Sequence, residues 1–265
     1  MAARVELFGV QIDPLRMDEA VGQVLSWARG KEPRSPPTKS PCRFVVTPNV
    51  DHVVMLQHHQ GLRAAYQDAG LVLVDGAPVL WSARLLNRSV PERVAGSDLV
   101  PALFDAVPDD NPLRVYLLGA APGVAERAAA NIAQTWPGVN IVGACSPPLG
   151  FERDEAENEA ILARIAAARP DVLLVGLGAP KQELWVHQHR HRLAAKVALC
   201  VGATIDFLAG EKSRAPRWMQ RAGLEWFYRA ASEPKRLAAR YARGAWIFPR
   251  LLAREWWQRR RVARS

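Results

Sequence analysis

The sequence contains no long run of apolar residues, although 49% of its 265 residues are hydrophobic. A transmembrane helix needs about 20 consecutive apolar residues, so the sequence predicts no segment that spans a bilayer. Residues 1–10 also lack the apolar core of a secretory signal, and we expect none. Cysteine is scarce: Cys42, Cys145 and Cys200 are widely spaced and match no metal or disulfide pattern. We expect three buried free thiols in a reducing cytoplasm.

Acidic residues are scarce in the last 55 positions, where 15 Lys and Arg face only 4 Glu, a net charge of +11. The preceding residues hold 20 basic and 22 acidic side chains, a net charge of −2, so the chain total is +9. Five of the nine tryptophans also lie in residues 211–265. Such a segment suits a nucleic acid, an anionic lipid surface or an acidic ligand.

Short apolar runs alternate with Ala, Leu, Arg and Glu-rich helical patterns along the first 210 residues. This alternation predicts an α/β fold of Rossmann-like type, a mostly parallel sheet with helices on both faces. The β pattern stops after Gly210, so we predict a catalytic domain at 1–210 and a basic helical appendage at 211–265, interrupted at Pro234 and Pro249. Residues 31–41 hold four prolines and read as a surface loop. The predicted strands are residues 5–10, 44–46, 71–74, 113–118, 139–142, 172–175 and 197–201.

Several predicted strands end in a small turn that also carries a polar side chain. Because the carboxyl ends of parallel strands share one edge, these ends are expected to form a ligand site. The glycine-broken turn after residues 172–175 precedes a helix, whose N-terminus attracts anions, so the site suits a phosphorylated ligand. The ends in question are Thr47-Pro48-Asn49, Asp75-Gly76, Gly119-Ala120, Gly176-Leu177-Gly178 with Lys181 and Gln182, and Gly202 to Asp206.

Each polar residue at these ends has a structural as well as a functional interpretation. Asp75 is positioned to act as a general base, or to cap the helix that starts near Pro78. Thr47 and Asn49 either cap the next helix or hold a sugar hydroxyl or phosphate. Arg93 either clamps a phosphate with both arms of its guanidinium or forms a surface ion pair with Glu92 or Asp98.

Taken together and in chain order from about residue 5 to 242, these motifs resemble the WecG/TagA/CpsF family of glycosyltransferases. The resemblance rests on Thr47-Pro48-Asn49, Val74-Asp75-Gly76-Ala77-Pro78, Glu92-Arg93-Val94-Ala95-Gly96-Ser97-Asp98, Gly176 to Glu183, Gly202 to Gly210, Arg214-Ala215-Pro216, Gly223-Leu224-Glu225-Trp226 and Glu233-Pro234-Lys235-Arg236.

The resemblance implies an inverting, metal-independent transferase that moves a sugar from a UDP-sugar to a polyprenyl-diphosphate-linked saccharide in the synthesis of cell-surface polysaccharide or teichoic acid. It implies Asp75 as general base, Thr47 as a second catalytic residue that lines the sugar–diphosphate pocket, and Asp206 at the uracil. It further implies that the C-terminal segment docks on the cytoplasmic face of the membrane and closes over the site. The implied substrate-binding residues are Asn49, Arg93, Gly119, Gly176, Gly178, Lys181, Gln182, Asp206, Arg214, Arg221 and Arg229.

The residues themselves, considered apart from the resemblance, are consistent with a metal-independent transfer. No two aspartates stand two positions apart, so the Asp-x-Asp metal motif of many transferases is missing. We therefore expect no metal and no cofactor, with arginines and helix N-termini stabilising the leaving diphosphate. Arginines near anionic lipid contribute about 1 kcal/mol each, and tryptophans favour the headgroup level.

Two other function classes remain as alternatives. The cationic tail could bind a nucleic acid, with affinity falling steeply in salt, but no recognition motif accompanies it. The glycine turn at Gly176 lacks the third glycine of a dinucleotide-binding fold. Within the favoured class, the sequence does not choose among N-acetylmannosamine, its uronic acid and glucose, nor does it fix the acceptor saccharide or the oligomeric state.

Overall fold

The computed structural model describes residues 3–30, 41–221, 223–232 and 234–262, without the side chains of residues 217, 221, 229, 234–241 and 262. Most of the predicted proline-rich loop at 31–41 lies outside this range. In chain order the elements are β1 Val5–Leu7, β2 Val10–Ile12, α1 Met17–Arg29, β3 Arg43–Val46, α2 Val50–Leu56, α3 Gln60–Asp68, β4 Leu71–Val72, α4 Ala77–Leu85, α5 Gly96–Asp105, β5 Leu113–Gly119, α6 Val124–Thr135, β6 Val139–Cys145, a 3-10 turn Phe151–Arg153, α7 Glu155–Ala168, β7 Val172–Gly176, α8 Lys181–His189, β8 Val197–Cys200, α9 Thr204–Leu208, α10 Arg217–Arg221, α11 Glu225–Ser232 and α12 Pro234–Val262.

Six strands form one parallel sheet in the order β4-β3-β8-β7-β5-β6. From β3 the chain moves outward to the edge strand β4, whereas from β5 it moves to the opposite edge strand β6. The later strands β7 and β8 fill the centre between these two halves. The loops that follow the central strands therefore diverge at the carboxyl edge, which is where ligands of open α/β sheets bind.

The sheet is covered on both faces, as predicted, and its strands are therefore mostly apolar. The exposed polar exceptions lie near strand starts, at Arg43, Arg114 and Asn140. Alternate residues of one strand enter different cores: Phe44 and Val46 join one cluster and Val45 the other. The first cluster includes side chains of α2, α3, α4, α7 and α8, and the second those of α1, α5, α6 and α9. The three cysteines are buried and free, as expected, and burial raises the pKa of Cys42 to about 12.

The N-terminal prediction of one strand over residues 5–10 is wrong. These residues form an antiparallel hairpin outside the main sheet, in which Leu7 pairs with Val10 across a two-residue turn. Phe8 and Gly9 both have positive φ, 54° and 74°, which is the geometry that a tight two-residue hairpin requires. A phenylalanine is an unusual residue for that conformation, so local composition does not predict the turn.

The C-terminal segment is helical, as predicted, but Pro249 does not interrupt it. Pro234 begins α12, where a missing N–H costs little, and the helix then continues through Pro249. An interior proline removes one helical hydrogen bond, which destabilises the helix. Packing of α12 on the body offsets this loss. The Phe248 ring is buried and lies 5.2 Å from that of Phe8, and a Cβ at Gly244 would lie 3.3 Å from Val50. The predicted boundary at Gly210 stays a prediction.

Candidate active site

A cavity of about 290 Å³ opens at the carboxyl edge of the sheet, between the strand-end loops and the C-terminal helices. The body contributes residues that follow β3, β4 and β8, together with the start of α5. The C-terminal segment contributes Gln220, Gly223, Glu225 and Trp226, and residues 244, 245, 248 and 249 of α12. The volume is at the lower end of the range of small-molecule sites.

Asn49 and Asp75 both line this cavity, one after β3 and the other after β4. Asn49 is the N-cap of α2, and its side-chain oxygen accepts hydrogen bonds from the N–H groups of Asp51 and His52. The N-cap position of α4 belongs to Gly76, not to Asp75. Asn49 therefore caps its helix, whereas Asp75 lies one residue before the N-cap position of α4. Thr47 lies buried just before this turn and does not line the cavity.

Arg93 lies at the cavity among three carboxylates. Its guanidinium is 2.7 Å from Asp98, 3.6 Å from Asp75 and 3.7 Å from Glu225. Glu92, the other ion-pair partner considered from the sequence, instead accepts a hydrogen bond from the N–H of Met17. Arg93 thus joins the proposed base, the first turn of α5 and the C-terminal helix α11 in one partly buried cluster.

Arg214 belongs to the same cluster from the segment before α10. It lies 2.7 Å from Asp98 and 3.5 Å from Glu225, and it donates to the carbonyl of Ser97. Burial alone would lower the pKa of Arg214, but the hydrogen bond and charge of Asp98, with the charge of Glu225, raise it above its usual value. Arg93 lines the cavity and Arg214 does not, but their shared acidic partners, Asp98 and Glu225, link the two guanidinium groups.

The glycine turns bring β5, β7 and β8 close together behind the cavity. Gly119 has φ +121°, and a Cβ there would lie 2.5 Å from the carbonyl oxygen of Gly176. A Cβ at Gly176 would in turn lie 2.8 Å from the carbonyl oxygen of Gly202. Gly178 has φ +79° and open space beside it. Gly119 and Gly176 thus allow the strand ends to approach closely, whereas Gly178 supplies a left-handed turn.

Lys181 and Asp206 do not line the cavity. The ammonium of Lys181 lies 3.1 Å from Glu152 and 5.8 Å from the centre of the Phe151 ring. The carboxylate of Asp206, which is on the short helix α9, lies 3.6 Å from the ammonium of Lys212. Arg221 and Arg229 lie on α10 and α11, and their side chains are outside the described residues.

Gln182 is buried behind the cavity, and the structure shows its neighbours, which the sequence analysis did not identify. Its side-chain oxygen accepts from the N–H of Gly202 at 3.1 Å, and its amide nitrogen donates to Glu183 at 2.7 Å. Glu183 also contacts His52, which is 131 residues away in sequence. No local sequence pattern predicts a contact between residues so far apart.

The role of the C-terminal segment in lining the cavity was likewise only partly predicted. Glu225 belongs to the motif Gly223-Leu224-Glu225-Trp226, but the motif does not predict its place at the cavity, and no sequence signal marks Gly244 as a lining residue. Among the described residues, no group of three His, Cys, Asp or Glu side chains could hold a metal ion.

Comparisons with known proteins agree with this arrangement. Residues 5–262 match the model of the "Glycosyl transferase WecG/TagA/CpsF family". A protein of Bacillus spizizenii strain W23 is 32% identical over 193 residues, which cover 73% of this chain and 72% of the relative. A protein of Staphylococcus aureus strain MRSA252 is 28% identical over 235 residues, 89% and 87% of the two chains. Both relatives are named N-acetylglucosaminyldiphosphoundecaprenol N-acetyl-beta-D-mannosaminyltransferase.

The family match covers nearly the whole chain, including the C-terminal helices that line the cavity. Every motif that carried the resemblance falls within it. The chain belongs to the WecG/TagA/CpsF family of glycosyltransferases.

Proposed function

We propose that this glycosyltransferase moves N-acetylmannosamine from a UDP-sugar to undecaprenyl-diphosphate-linked N-acetylglucosamine, with inversion and without a metal ion. The acceptor and the transferred sugar follow the names of its relatives. The observation that carries the proposal is the cavity in which Asp75 and Arg93 lie 3.6 Å apart at the sheet's carboxyl edge. A nucleic-acid-binding role gains no support from the comparisons.

In the proposed reaction, the carboxylate of Asp75 takes the proton of the acceptor hydroxyl. The hydroxyl oxygen forms a bond to the anomeric carbon as the bond from that carbon to the UDP oxygen breaks. One displacement of this kind inverts the configuration at the anomeric carbon. Negative charge moves onto the leaving diphosphate, so groups that stabilise this charge accelerate the step.

Positive groups around the cavity are suited to stabilise the negative charge of the leaving diphosphate. Arg93 can present a two-armed guanidinium to phosphate oxygens. Helix α5 begins at the cavity, and its N-cap residue, Ala95, supplies no side-chain hydrogen bond. Its first N–H groups therefore suit an anion. Helix α4 also begins there, but its second residue is Pro78, which has no N–H. With Arg214 beside Asp98, these donors make a divalent metal unnecessary in the proposed mechanism.

The acceptor carries a long lipid, so the proposed enzyme must work at a membrane surface. No helix in the described part of the chain is long and apolar enough to cross a membrane. We infer that the C-terminal segment docks on anionic lipid. Its exposed side chains support this inference, since tryptophan and arginine suit the headgroup region. The exposed aromatic residues of this segment include Trp218, Trp226, Phe227, Trp246 and Trp257.

The docking surface would extend onto the body next to the cavity. Trp81 and Leu85 are 50% and 60% exposed on α4. A Cβ at Gly223 would lie 3.0 Å from the Trp81 ring, so the two parts of the apolar surface are adjacent. A membrane bound to this face would hold the lipid-linked acceptor beside Asp75.

The identity of the substrates is tested by mass spectrometry of the products. The enzyme is incubated with UDP-N-acetylmannosamine, its uronic acid derivative or UDP-glucose, each with a polyprenyl-diphosphate-linked N-acetylglucosamine acceptor. We expect a disaccharide product that gains the mass of N-acetylmannosamine. Selective transfer of glucose or of the uronic acid would contradict the proposed sugar.

Arg93→Lys is expected to weaken UDP binding about tenfold to a hundredfold, because one ammonium cannot replace a two-armed contact with a diphosphate. Isothermal titration calorimetry measures the dissociation constant. Arg164→Lys is the matched control, since Arg164 pairs with Glu157 on α7 and does not line the cavity. An unchanged affinity in Arg93→Lys would remove Arg93 from the diphosphate site.

A further inference from the structure

A fully buried carboxylate, Glu183, connects two of the loops behind the cavity. Its Oε1 accepts hydrogen bonds from Gln182 Nε2 at 2.7 Å and from His52 Nε2 at 3.3 Å. Its Oε2 is buried and has no hydrogen-bond partner among the described residues. A buried charge is costly unless a charge of opposite sign accompanies it. The protonation state of His52 therefore decides whether Glu183 is accompanied by a positive charge.

The other ring nitrogen of His52 reveals where the protons lie. Nδ1 is 2.9 Å from Asn49 Oδ1. That oxygen already accepts two backbone N–H groups, from Asp51 at 3.0 Å and His52 at 3.3 Å, which fixes the orientation of the amide. Two acceptors at 2.9 Å would repel each other, so Nδ1 must carry a proton. The N–H of Asn49 also lies 3.4 Å from Nδ1, but this is the longer and weaker contact.

We propose that His52 and Glu183 form a buried imidazolium–carboxylate pair that positions Asn49 and Gln182 for the sugar diphosphate. His52 Nε2 donates to the carboxylate while Nδ1 donates to Asn49, so both ring nitrogens are protonated. A carboxylate oxygen that accepts two N–H groups is stabilised in its ionised form. The pair as a whole is neutral, which makes its burial tolerable.

Two titratable neighbours of Glu183 supply no second charge to the pair. The neighbouring groups Tyr66 and Cys200 stay neutral at physiological pH, because burial first, and then the charge of Glu183, raises the pKa of each. The hydroxyl of Tyr66 is buried and has no hydrogen-bond partner among the described residues. His52 is therefore the cation that balances Glu183.

The pair acts on the cavity through its two hydrogen-bonded neighbours. Asn49 lines the cavity, and since its oxygen is held by α2 and His52, its amide NH₂ is the group left for a ligand. On the other side, Glu183 orients Gln182, whose oxygen holds the N–H of Gly202 at 3.1 Å. His52 and Glu183 are thus positioning residues that couple the ends of β3, β7 and β8. This inference rests on the proposed function only for the identity of the ligand.

Nuclear magnetic resonance of ¹⁵N-histidine-labelled protein tests the pair directly. In the wild type, we expect both ring nitrogens of His52 to be protonated at neutral pH. In Glu183→Gln, which keeps an acceptor oxygen and removes the charge, we expect His52 to become neutral: Nδ1, which faces Asn49 Oδ1, keeps its proton, and Nε2 loses its proton. A wild-type His52 with one unprotonated ring nitrogen at neutral pH would overturn the proposal.

Binding and kinetics test whether the pair positions the ligand site. We expect Glu183→Gln to raise the dissociation constant of UDP and the donor KM about tenfold, with kcat nearly unchanged. His52→Gln combined with Glu183→Gln should lose no more affinity than Glu183→Gln alone, since both changes break one unit. Unchanged UDP affinity in Glu183→Gln, or additive losses in the double variant, would contradict the positioning role.

Asn158→Ala is the matched structural control. Asn158 is a buried polar residue on α7 that bonds to Phe151, Asp154 and Trp185 and does not line the cavity. We expect it to lower the melting temperature but to leave UDP affinity and the His52 signals unchanged; loss of UDP affinity in this variant would make the effect of Glu183→Gln merely structural. Failure of wild-type protein to bind UDP would refute the proposed function, whereas the state of His52 is measured without any ligand.

Discussion

Asp75→Asn is expected to slow sugar transfer about a thousandfold while UDP binding is retained. The amide has the shape of the carboxylate but cannot accept the proton of the acceptor hydroxyl, and general-base catalysis contributes about 10²–10⁴-fold. Loss of the negative charge 3.6 Å from Arg93 should leave that arginine at least as available to a diphosphate. The measurements are kcat with saturating substrates and the dissociation constant of UDP.

Asp110→Asn makes the same chemical change at an exposed turn position and serves as its control. It should match the wild type in both measurements. Full transfer activity in Asp75→Asn would exclude Asp75 as the base. Loss of UDP binding together with activity would instead make Asp75 a binding residue.

Replacing three arginines of α12 by glutamine is expected to reduce binding to anionic vesicles about a hundredfold. The three side chains are exposed, and their spacings of eleven and seven residues return to one side of an α-helix. Each basic residue near an anionic surface contributes about 1 kcal/mol, so three together contribute about 3 kcal/mol. The variant changes Arg243, Arg254 and Arg261.

A vesicle co-sedimentation assay at low salt measures this effect, with vesicles of zwitterionic lipid as the reference. The control replaces the same number of exposed arginines on the body, Arg127, Arg164 and Arg192. It carries the same net charge but should bind anionic vesicles nearly as well as the wild type. Equal losses in both variants would show that net charge, and not α12, determines binding. This test is sharper than deletion after Gly210, which would also uncover the packing surface of Phe248.

The parallel sheet could be predicted because its strands are buried on both faces. A buried strand is apolar at every position, so runs such as Val172–Gly176 stand out from the helical patterns around them. Helix α7, Glu155–Ala168, is one of the Ala-, Leu- and Glu-rich patterns that separate these runs. Local composition failed where tertiary contacts decide the conformation, in the turn at Phe8 and in the continuation of α12 through Pro249.

Only those site residues that lie next to a recognisable strand or helix could be predicted from the sequence. Asn49, Asp75 and Arg93 follow or precede recognisable elements, and the cavity brings them together. Lys181 follows the glycine turn that was expected to bind the ligand, but its ammonium forms an ion pair with Glu152. The pair of His52 and Glu183 depends on how α2 and α8 pack, and no spacing rule in the sequence predicts that contact.

Metal-independent sugar transfer is tested by measuring acceptor-dependent UDP release from UDP-N-acetylmannosamine, with and without EDTA. We expect UDP release that requires the polyprenyl-diphosphate-linked acceptor and proceeds at the same rate in EDTA. Release that stops in EDTA and returns with a divalent cation would contradict the metal-independent mechanism. Failure to bind UDP at all would contradict the proposed donor and the account built on it.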